Sequence, residues 1–586
     1  MNTKLADQVT SIPLRIWPAV LLLSSLWFVR TLPSMMDVDT TVFMASVFVP
    51  LICSVLILVW WAAFSRATAK EKAVGITATA LIAATAIAIA DKSMQGFGVL
   101  MYVVPGGMTT VTLSMILGRK LSSTARTTLV ILAALIGFGT WDLVRNDGVW
   151  GDFRSSRSWR WTPTSEDLFL ASLKSRKIST DARGPALGTS ISPWPSFRGA
   201  ERNGVQPEVS LAENWKSTPP RERWRSQCGP GWSSFSVAGN QLFTQEQRGT
   251  NEVVVCYDTE TGREIWATEY PSRFWEAVAG PGPRATPTFH EGKVYALGAE
   301  GIVHRMDAMN GTVEWQTDLR DIRPKPPTWG FSSSPLIFED LVIVHAGGPS
   351  GQGIVAFDIE SGQQRWSAPS GDHSYSSPQL MSVGGNTQLL MLCNEGLTAY
   401  DPTDGEVVWK HEWPYEGYRV LQPLVVDKSS VLLGTGMGTG TRRIDLIQDD
   451  EGNFQASERW TTRDIKPDYN DFVAHDGYLY GFDKNIFACV DLKTGERRWK
   501  KGRYGHGQVL LLPNAEQLLV LSESGELVLL RTNPEQLEEL SQIQVLNSKT
   551  WNHPVLIGNR LYVRNGEEIA CFEMPLQSSA SQKMQE

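Results

Sequence analysis

Hydrophobic and polar residues follow two different rhythms along this chain. Up to about residue 145, apolar stretches of about 20 residues alternate with short polar breaks, the pattern of helices long enough to cross a bilayer. Five spans are expected, approximately Ile12–Leu32, Thr41–Phe64, Ala73–Ala90, Phe97–Leu117 and Thr127–Val144. Beyond residue 194 the apolar runs shorten to a few alternating residues set between Gly, Pro, Asn and Asp, the period of half-buried strands joined by turns.

The division predicts a transmembrane domain (1–145), a linker (146–193), an all-β domain (194–576) and a disordered tail (577–586). The linker is polar and basic, and it reads as tether except for Thr164-x-x-Asp167 before Leu168, Phe169 and Leu173, the signature of an N-capped amphipathic helix. Its Arg154, Arg157, Arg160, Trp159 and Trp161 suit either the outer membrane leaflet or a packed protein surface. No small-residue cleavage site follows the first span, so it reads as a retained anchor. Cys53 lies inside the second span without the small residues of a lipoprotein signal, which makes it a packing residue. Thr109, Thr110 and Thr112 can bond their own helix backbone, and Pro105-Gly106-Gly107 predicts a kink.

Basic residues set the orientation. Lys4 and Arg15, then Arg66, Lys70 and Lys72, then Arg119, Lys120 and Arg126 mark one side as cytoplasmic, whereas Asp37, Asp39 and the Asp91-Lys92 pair mark the other. Five crossings then place the β domain on the exported face.

An internal repeat defines that domain. Asp, Gly and Trp recur at fixed offsets in Asp258/Gly262/Trp266, Asp307/Gly311/Trp315, Asp358/Gly362/Trp366, Asp401/Gly405/Trp409 and Asp491/Gly495/Trp499. Successive Trp residues are 49, 51, 43 and 90 apart, so the last interval hides a degenerate unit around Asp445, Gly452 and Trp460. Periods of this length predict propeller blades. In each unit the Asp carboxylate can accept backbone N–H groups in a tight turn, the Gly supplies positive φ, and the Trp covers the seam between blades. Inner strands opened by Pro287, Pro335, Pro378, Pro423 and Pro554 extend the count. Leu511–Leu540 reads as a worn seventh blade, and an eighth pairs the strands within Trp551–Met574 with Arg221–Arg225, removing the last open edge.

Composition adds limits. There are 54 basic and 62 acidic residues, a net charge of -8, which leaves no overall basic field for nucleic acid. The 22 Trp, 51 Gly and 32 Pro suit a turn-rich β array with large packed surfaces. None of Cys53, Cys228, Cys256, Cys393, Cys489 and Cys571 forms a C-x-x-C or vicinal pair, and Cys256, Cys489 and Cys571 share one strand position that Ala356 and Ala399 fill in other blades, marking them as small buried fillers.

The A-x-D-x-x-T-G-x-x-x-W form, clearest at Ala488–Trp499 and Val255–Trp266, resembles the repeat of pyrroloquinoline-quinone (PQQ) type propellers over roughly Trp194 to Met574. Trp194-Pro-Ser-Phe-Arg-Gly-x-x-x-Asn-Gly-Val is similar to the opening of the large bacterial PQQ-like propeller family. Two relatives imply different chemistry. The five-span layout resembles membrane-bound quinoprotein glucose dehydrogenases, which implies PQQ, calcium and electron transfer to membrane quinone. About 47 residues per blade leaves little room for the long loops that build such a site, and the adjacent cysteines of the alcohol-oxidising members are missing. The compact size resembles the lipoprotein propeller of the outer-membrane barrel assembly machinery, which implies a cofactor-free partner-binding module.

The loops leading into the inner strands ring one mouth of the central channel. They carry Trp232, Arg284, Trp329, His373 with Tyr375, Tyr418 with Arg419, Tyr469 with Asp471, His506, and Trp551 with His553. Aromatic and cationic groups so placed can stack a planar anionic ring, grip a peptide, or simply cap the core. Calcium would need several oxygen ligands, and the nearby acids are few: Glu276, Asp372, Glu416, Asp468 and Asp471, of which Asp471 is the first to test as a base. Gly434–Gly440 reads as a blade hairpin because strand follows it, and the eight histidines show no zinc spacing. The expectation is a bacterial inner-membrane protein with a cytoplasmic N-terminus and a periplasmic eight-bladed propeller, a binding or scaffold module for an envelope protein or ligand with no assigned cofactor. The alternative is a PQQ-dependent dehydrogenase. A ligand sensor is a third class, for which the chain offers no cytoplasmic output domain.

Overall fold

The computed structural model describes residues 13–35, 40–175, 193–348, 351–372, 374–436 and 439–577. The expectations for Lys4, Ile12, Asp37, Asp39, His373 and the tail beyond residue 577 concern residues outside that set. The chain forms two compact units, one of residues up to 162 together with 277–279, the other of the remainder.

The first unit is helical: α1 (Trp17–Met35), α2 (Thr40–Ala63), α3 (Ala69–Ile89), α4 (Val104–Leu117) and α5 (Ser123–Gly139). Small residues let the helices approach closely, since a Cβ on Gly75 would fall 2.4 Å from the Trp61 ring and one on Gly107 2.4 Å from Phe138. Thr109 and Thr112 donate to the carbonyls of Pro105 and Met108 on their own helix, while Thr110 bonds both Gly107 and Ala133 of α5. A π-turn at Val99–Val103 immediately precedes Pro105.

Among the described residues, four helical segments are long and apolar enough to cross a membrane: Val42–Ala63, Ala69–Ile89, Val99–Leu117 and Ser123–Leu143. Of the five expected spans, these account for the last four. α1 is a helix, but Arg30 and Pro33 interrupt its apolar run. Residues 144–159, of which 146 onward were read from sequence as tether, form an antiparallel hairpin of Val144–Val149 with Ser155–Trp159.

The second unit opens with α6 (Ser165–Ser175). Thr164 Oγ1 accepts the Asp167 N–H while Asp167 Oδ2 accepts the Thr164 N–H, a reciprocal cap on the free donors of the first turn. Phe169 is buried beneath the Arg248 guanidinium, and Glu166 bonds both Arg273 and the Gly249 N–H, which fixes α6 to the first blade.

Eight four-stranded antiparallel sheets follow. Blades 1 to 7 have inner strands at Ser236–Ala238, Thr288–His290, Leu336–Phe338, Gln379–Val383, Leu424–Asp427, Val473–His475 and Gln508–Leu512. Blade 8 combines Val555–Ile557, Arg560–Arg564 and Glu568–Glu573 with Arg221–Gln227 from the start of the domain, so the ring closes through both ends of the array. The degenerate unit is blade 5, where Arg443 pairs with Trp460, and the glycine-rich stretch is a hairpin in which Thr435 pairs with Gly440.

The repeat motif stitches neighbouring blades together. Asp258 Oδ1 accepts from the N–H groups of Glu260 and Thr261, and Gly262 turns the chain at φ 66°. The indoles of four of the repeat Trp residues then lie on the Gly of the following blade and donate to the carbonyl one residue after that blade's Asp: Trp266 to Ala308, Trp315 to Ile359, Trp366 to Pro402, Trp460 to Leu492. Trp409, packed against Val431 and Ile444 of the degenerate blade 5, instead donates to Gln388 of its own blade. Cys256, Cys489, Cys571, Ala356 and Ala399 each sit directly opposite such a Trp on the adjacent strand, which explains their small size.

Candidate functional site

Residues at the entries to the inner strands, mostly two positions before the first strand residue, form a polar girdle around the channel. The Ser234 N–H donates to Thr286 Oγ1, the Thr286 N–H to Ser334 Oγ, and the Ser334 N–H to Ser377 Oγ, each at 2.9 Å. Gln422 Nε2 bonds Gln379 Oε1, its N–H bonds Asp471 Oδ1, and Asn470 Nδ2 reaches the Gly507 carbonyl. Gln508 Nε2 bonds the Trp551 carbonyl, and Ser234 Oγ completes the circuit at the His553 carbonyl. A hydroxyl, amide or carboxylate is used because each must satisfy a neighbour's backbone donor or acceptor away from water.

The channel inside this girdle is occupied by the chain itself. Residues 194–206 bond to inner-strand backbone or side chains of seven blades: Trp194 O to Val237, Pro195 O to Phe289, Arg202 to Ser334 and Pro335, Glu201 O to Gln379, Arg198 to Phe472, Gly204 O to Leu511, and Gln206 to Leu556. Arg198 and Arg202 are buried, and burial lowers both guanidinium pKa values, with Arg198 helping to push Arg202 down to about 9. Asp471 lies 3.4 Å from Arg198 Nη1 and 3.4 Å from His553 Nε2. Burial acts to raise the Asp471 pKa, but Arg198, His553 and the Gln422 N–H outweigh it and hold the carboxyl below its ordinary range. Its contacts are those of a girdle residue that anchors the plug.

Two residues upstream of the girdle stands a second tier, containing Trp232, Arg284, Tyr375, Tyr469, His506 and Trp551. Trp551 is the centre of one aromatic group, with ring centroids 4.8 Å from both Trp232 and Tyr469, and with Lys549 Nζ 4.2 Å above it. Tyr469 stacks on His506 at 5.1 Å. Burial lowers the His506 pKa in principle, but Asp468 at 2.8 Å and Glu523 reverse this and raise it from 6.5 to about 9. Burial lowers the Lys549 ammonium to about 8 against the opposing pull of Glu523 and Glu276. A second group joins Trp329 to Tyr375 at 5.0 Å and to Tyr418 at 4.4 Å. Arg284 pairs with Glu276 at 2.8 Å and lies within electrostatic reach of Tyr375 and Lys549.

The structure thus brings Trp232, Tyr469, His506 and Trp551 together, and separately Trp329, Tyr375 and Tyr418. Arg419 belongs to neither group: it is fully buried, donates to the Trp413 carbonyl and packs 4.5 Å over the Trp413 ring. Sequence reading missed Arg198, Arg202 and Lys549. The plug arginines lie in the family-like opening segment, which was the available signal, and Lys549 precedes Trp551 by one alternating position.

Calcium-held PQQ would need several oxygen ligands converging at this mouth. Among the described residues no three His, Cys, Asp or Glu side chains converge to hold a metal ion. Asp471 is already engaged by Arg198 and His553, and Glu276 by Arg284. These residues do not fit a calcium-held quinone.

Residues 215–328 and 326–501 match the family model described as outer membrane protein assembly factor BamB. Outer membrane protein assembly factor BamB of Yersinia pestis is 20% identical over 337 residues, covering 53% of this chain and 70% of that protein. Among solved structures, BamB from Moraxella catarrhalis is similar at 15% identity, covering 61% of this chain and 99% of that one, with a TM-score of 0.43. A europium-containing methanol dehydrogenase is 10% identical and covers 66% of this chain and 99% of its own, with a TM-score of 0.39. A quinohemoprotein alcohol dehydrogenase from Pseudomonas putida is 11% identical, covering 66% and 81%, at 0.39. Residues 215–501 of the propeller are therefore similar to the BamB family model, and membrane-capable helices precede them.

Proposed function

We propose that this protein is a membrane-anchored propeller that binds a protein partner through the aromatic and cationic tier at one mouth of its ring. The carrying observation is the group of Trp232, Trp551 and Tyr469 with Lys549, half-buried above a channel closed by residues 194–206. Clustered aromatics beside a cation are the usual composition of an interface hot spot. The similarity to an assembly factor supports this reading.

The orientation follows from the last span alone. α5 begins beside Arg119, Lys120 and Arg126, so its other end, and the propeller after it, lies on the exported side whether four or five spans cross. The membrane is then the bacterial inner membrane and the propeller is periplasmic.

Titration of the full chain in detergent with PQQ and calcium, followed by calorimetry and dye reduction on sugars and alcohols, tests this assignment. The expected result is neither saturable uptake nor turnover. Tight uptake with turnover would replace the binding-module reading with a quinoprotein dehydrogenase.

A further inference from the structure

The hairpin of residues 144–159 and the residue after it carry four arginines at the ends of α1, α3 and α5, the end of the bundle opposite Arg66, Lys70, Lys72, Arg119, Lys120 and Arg126. Three of the four have carboxylate partners. Arg145 bonds Asp147 at 2.6 Å, Arg154 bonds Asp152 at 2.5 Å, and Arg160 lies 3.7 Å from Asp91. Arg157 differs: among the described residues its recorded contacts are with ring faces, 5.0 Å from the Tyr102 centroid and 5.8 Å from that of Trp141. Arg30, near the end of α1, lies 5.7 Å from the same Tyr102 ring and, among the described residues, likewise has no carboxylate within salt-bridge distance.

Beside Arg157 opens a cavity of about 580 Å³ lined by Trp141, Val144, Ser155, Arg157, Trp159 and Thr162, among others. Its wall joins the Arg157 guanidinium to three hydroxyl-bearing residues and two indoles, and Arg30 lies over the same Tyr102 ring as Arg157. Trp159 and Trp161 stack at 5.3 Å with their planes 3° apart, yet they are 50% and 67% exposed. An exposed, ordered indole pair at the end of a membrane-capable bundle has the character of an aromatic belt at headgroup level. Arg at that depth is stabilised when its planar donors meet phosphate oxygens, which they fit in a forked geometry.

We propose that this cavity is a phospholipid headgroup site, in which Arg157 and Arg30 donate to the phosphate diester, Ser155 and Thr162 supply hydroxyl contacts, and Trp159 rests against the glycerol region. The ligand class is a phosphate-bearing amphiphile rather than a free anion, because the apolar faces of α1 and α5 continue from the cavity, with Phe28, Leu132, Leu135 and Ile136 exposed along them. The site is independent of the propeller mouth.

The test is native mass spectrometry of the full chain in mild detergent after delipidation and add-back of phosphatidylglycerol, phosphatidylethanolamine or inorganic phosphate alone. Wild type should retain one phospholipid through washing. Arg157→Gln and Arg30→Gln should each weaken retention about fivefold, the effect of one basic side chain near a lipid surface. Arg157→Lys should keep most of it, and Arg154→Gln, whose residue is paired, should behave as wild type. Equal retention in Arg157→Gln, equal loss in Arg154→Gln, or binding of inorganic phosphate without lipid would each overturn the proposal. If the Gln variants fail to fold, the add-back series on wild type decides, since lipid rebinding that inorganic phosphate cannot compete away supports the site and its absence refutes it.

Discussion

Trp366 of blade 3 lies on Gly405 of blade 4: a Cβ on Gly405 would fall 2.5 Å from Trp366 Cε3, and the same indole donates to the Pro402 carbonyl at 3.2 Å. Gly405 also turns the chain at φ 78°. Gly405→Ala therefore meets both a left-handed backbone and an occupied ring face, and should cost about 2–4 kcal/mol, summing strain and overpacking. Gly452 in the degenerate blade 5 has φ 91°, but its nearest neighbouring atom lies 3.9 Å away, so Gly452→Ala should cost only the strain, about 1 kcal/mol. Thermal unfolding followed by Trp fluorescence distinguishes the two. Equal costs would show that the seam contact is not stabilising.

The plug predicts a second asymmetry. Asp471→Asn leaves Arg198 buried beside a neutral amide and should destabilise the propeller by about 3–5 kcal/mol, while the double change with Arg198→Met should recover much of the loss. Because the folded-state pKa of Asp471 is depressed, its contribution is present above the ordinary carboxylate range and lost as pH falls through the depressed value. The acid limb of the stability profile should be flatter in the double variant. A single variant as stable as wild type would remove the ion pair from the account.

His506 acts with the opposite sign. Its pKa rises from 6.5 to about 9, so the stability from its bonds with Asp468 and Glu523 is complete below about 6.5 and disappears as pH climbs through 9. His506→Gln should lower the melting temperature at pH 6 and converge with wild type near pH 10. A constant difference across that range would contradict a charged His506.

Much of this was legible in the sequence, and the remainder was hidden for physical reasons. The blade count, the worn blade 7 and the strand exchange that builds blade 8 follow from a repeat whose Asp, Gly and Trp each have one structural task. Trp232, Tyr469 and Trp551 could be placed at one mouth because each loop leads into an inner strand, but sequence could not show that they touch one another. Arg198 and Arg202 were invisible as plug residues because they reach Phe472, Ser334 and Pro335, backbone carbonyls more than 100 residues away that carry no side-chain signature. The girdle serines and threonine were equally silent, since Ser and Thr before Pro suit any turn. α1 differs from the four segments that meet the length and hydropathy of a span in carrying Arg30 and Pro33 within its apolar run. The hairpin at 144–159 lacked the alternating apolar pattern of a strand, for only its last two residues in the first strand are buried.

Mouth chemistry predicts a pH dependence of binding. Lys549, with a pKa of about 8, carries its charge below neutrality and loses it as pH rises through 8. Partner affinity should decline over that range in wild type and be flat in Lys549→Met, measured by surface-immobilised binding in detergent. A parallel decline in both would assign the dependence elsewhere.

The central claim is that the aromatic tier is the partner surface, and site-specific photo-crosslinking in native membranes tests it most directly. A photoreactive phenylalanine analogue replaces Trp232 at the mouth, or Ile447 on the exposed outer part of blade 5 as a control. The account predicts one discrete protein adduct from position 232, none from 447, and loss of the adduct when Trp551→Ala and Lys549→Ala are added. No adduct at 232, the same adducts from both positions, or an adduct indifferent to Trp551 and Lys549 would contradict it.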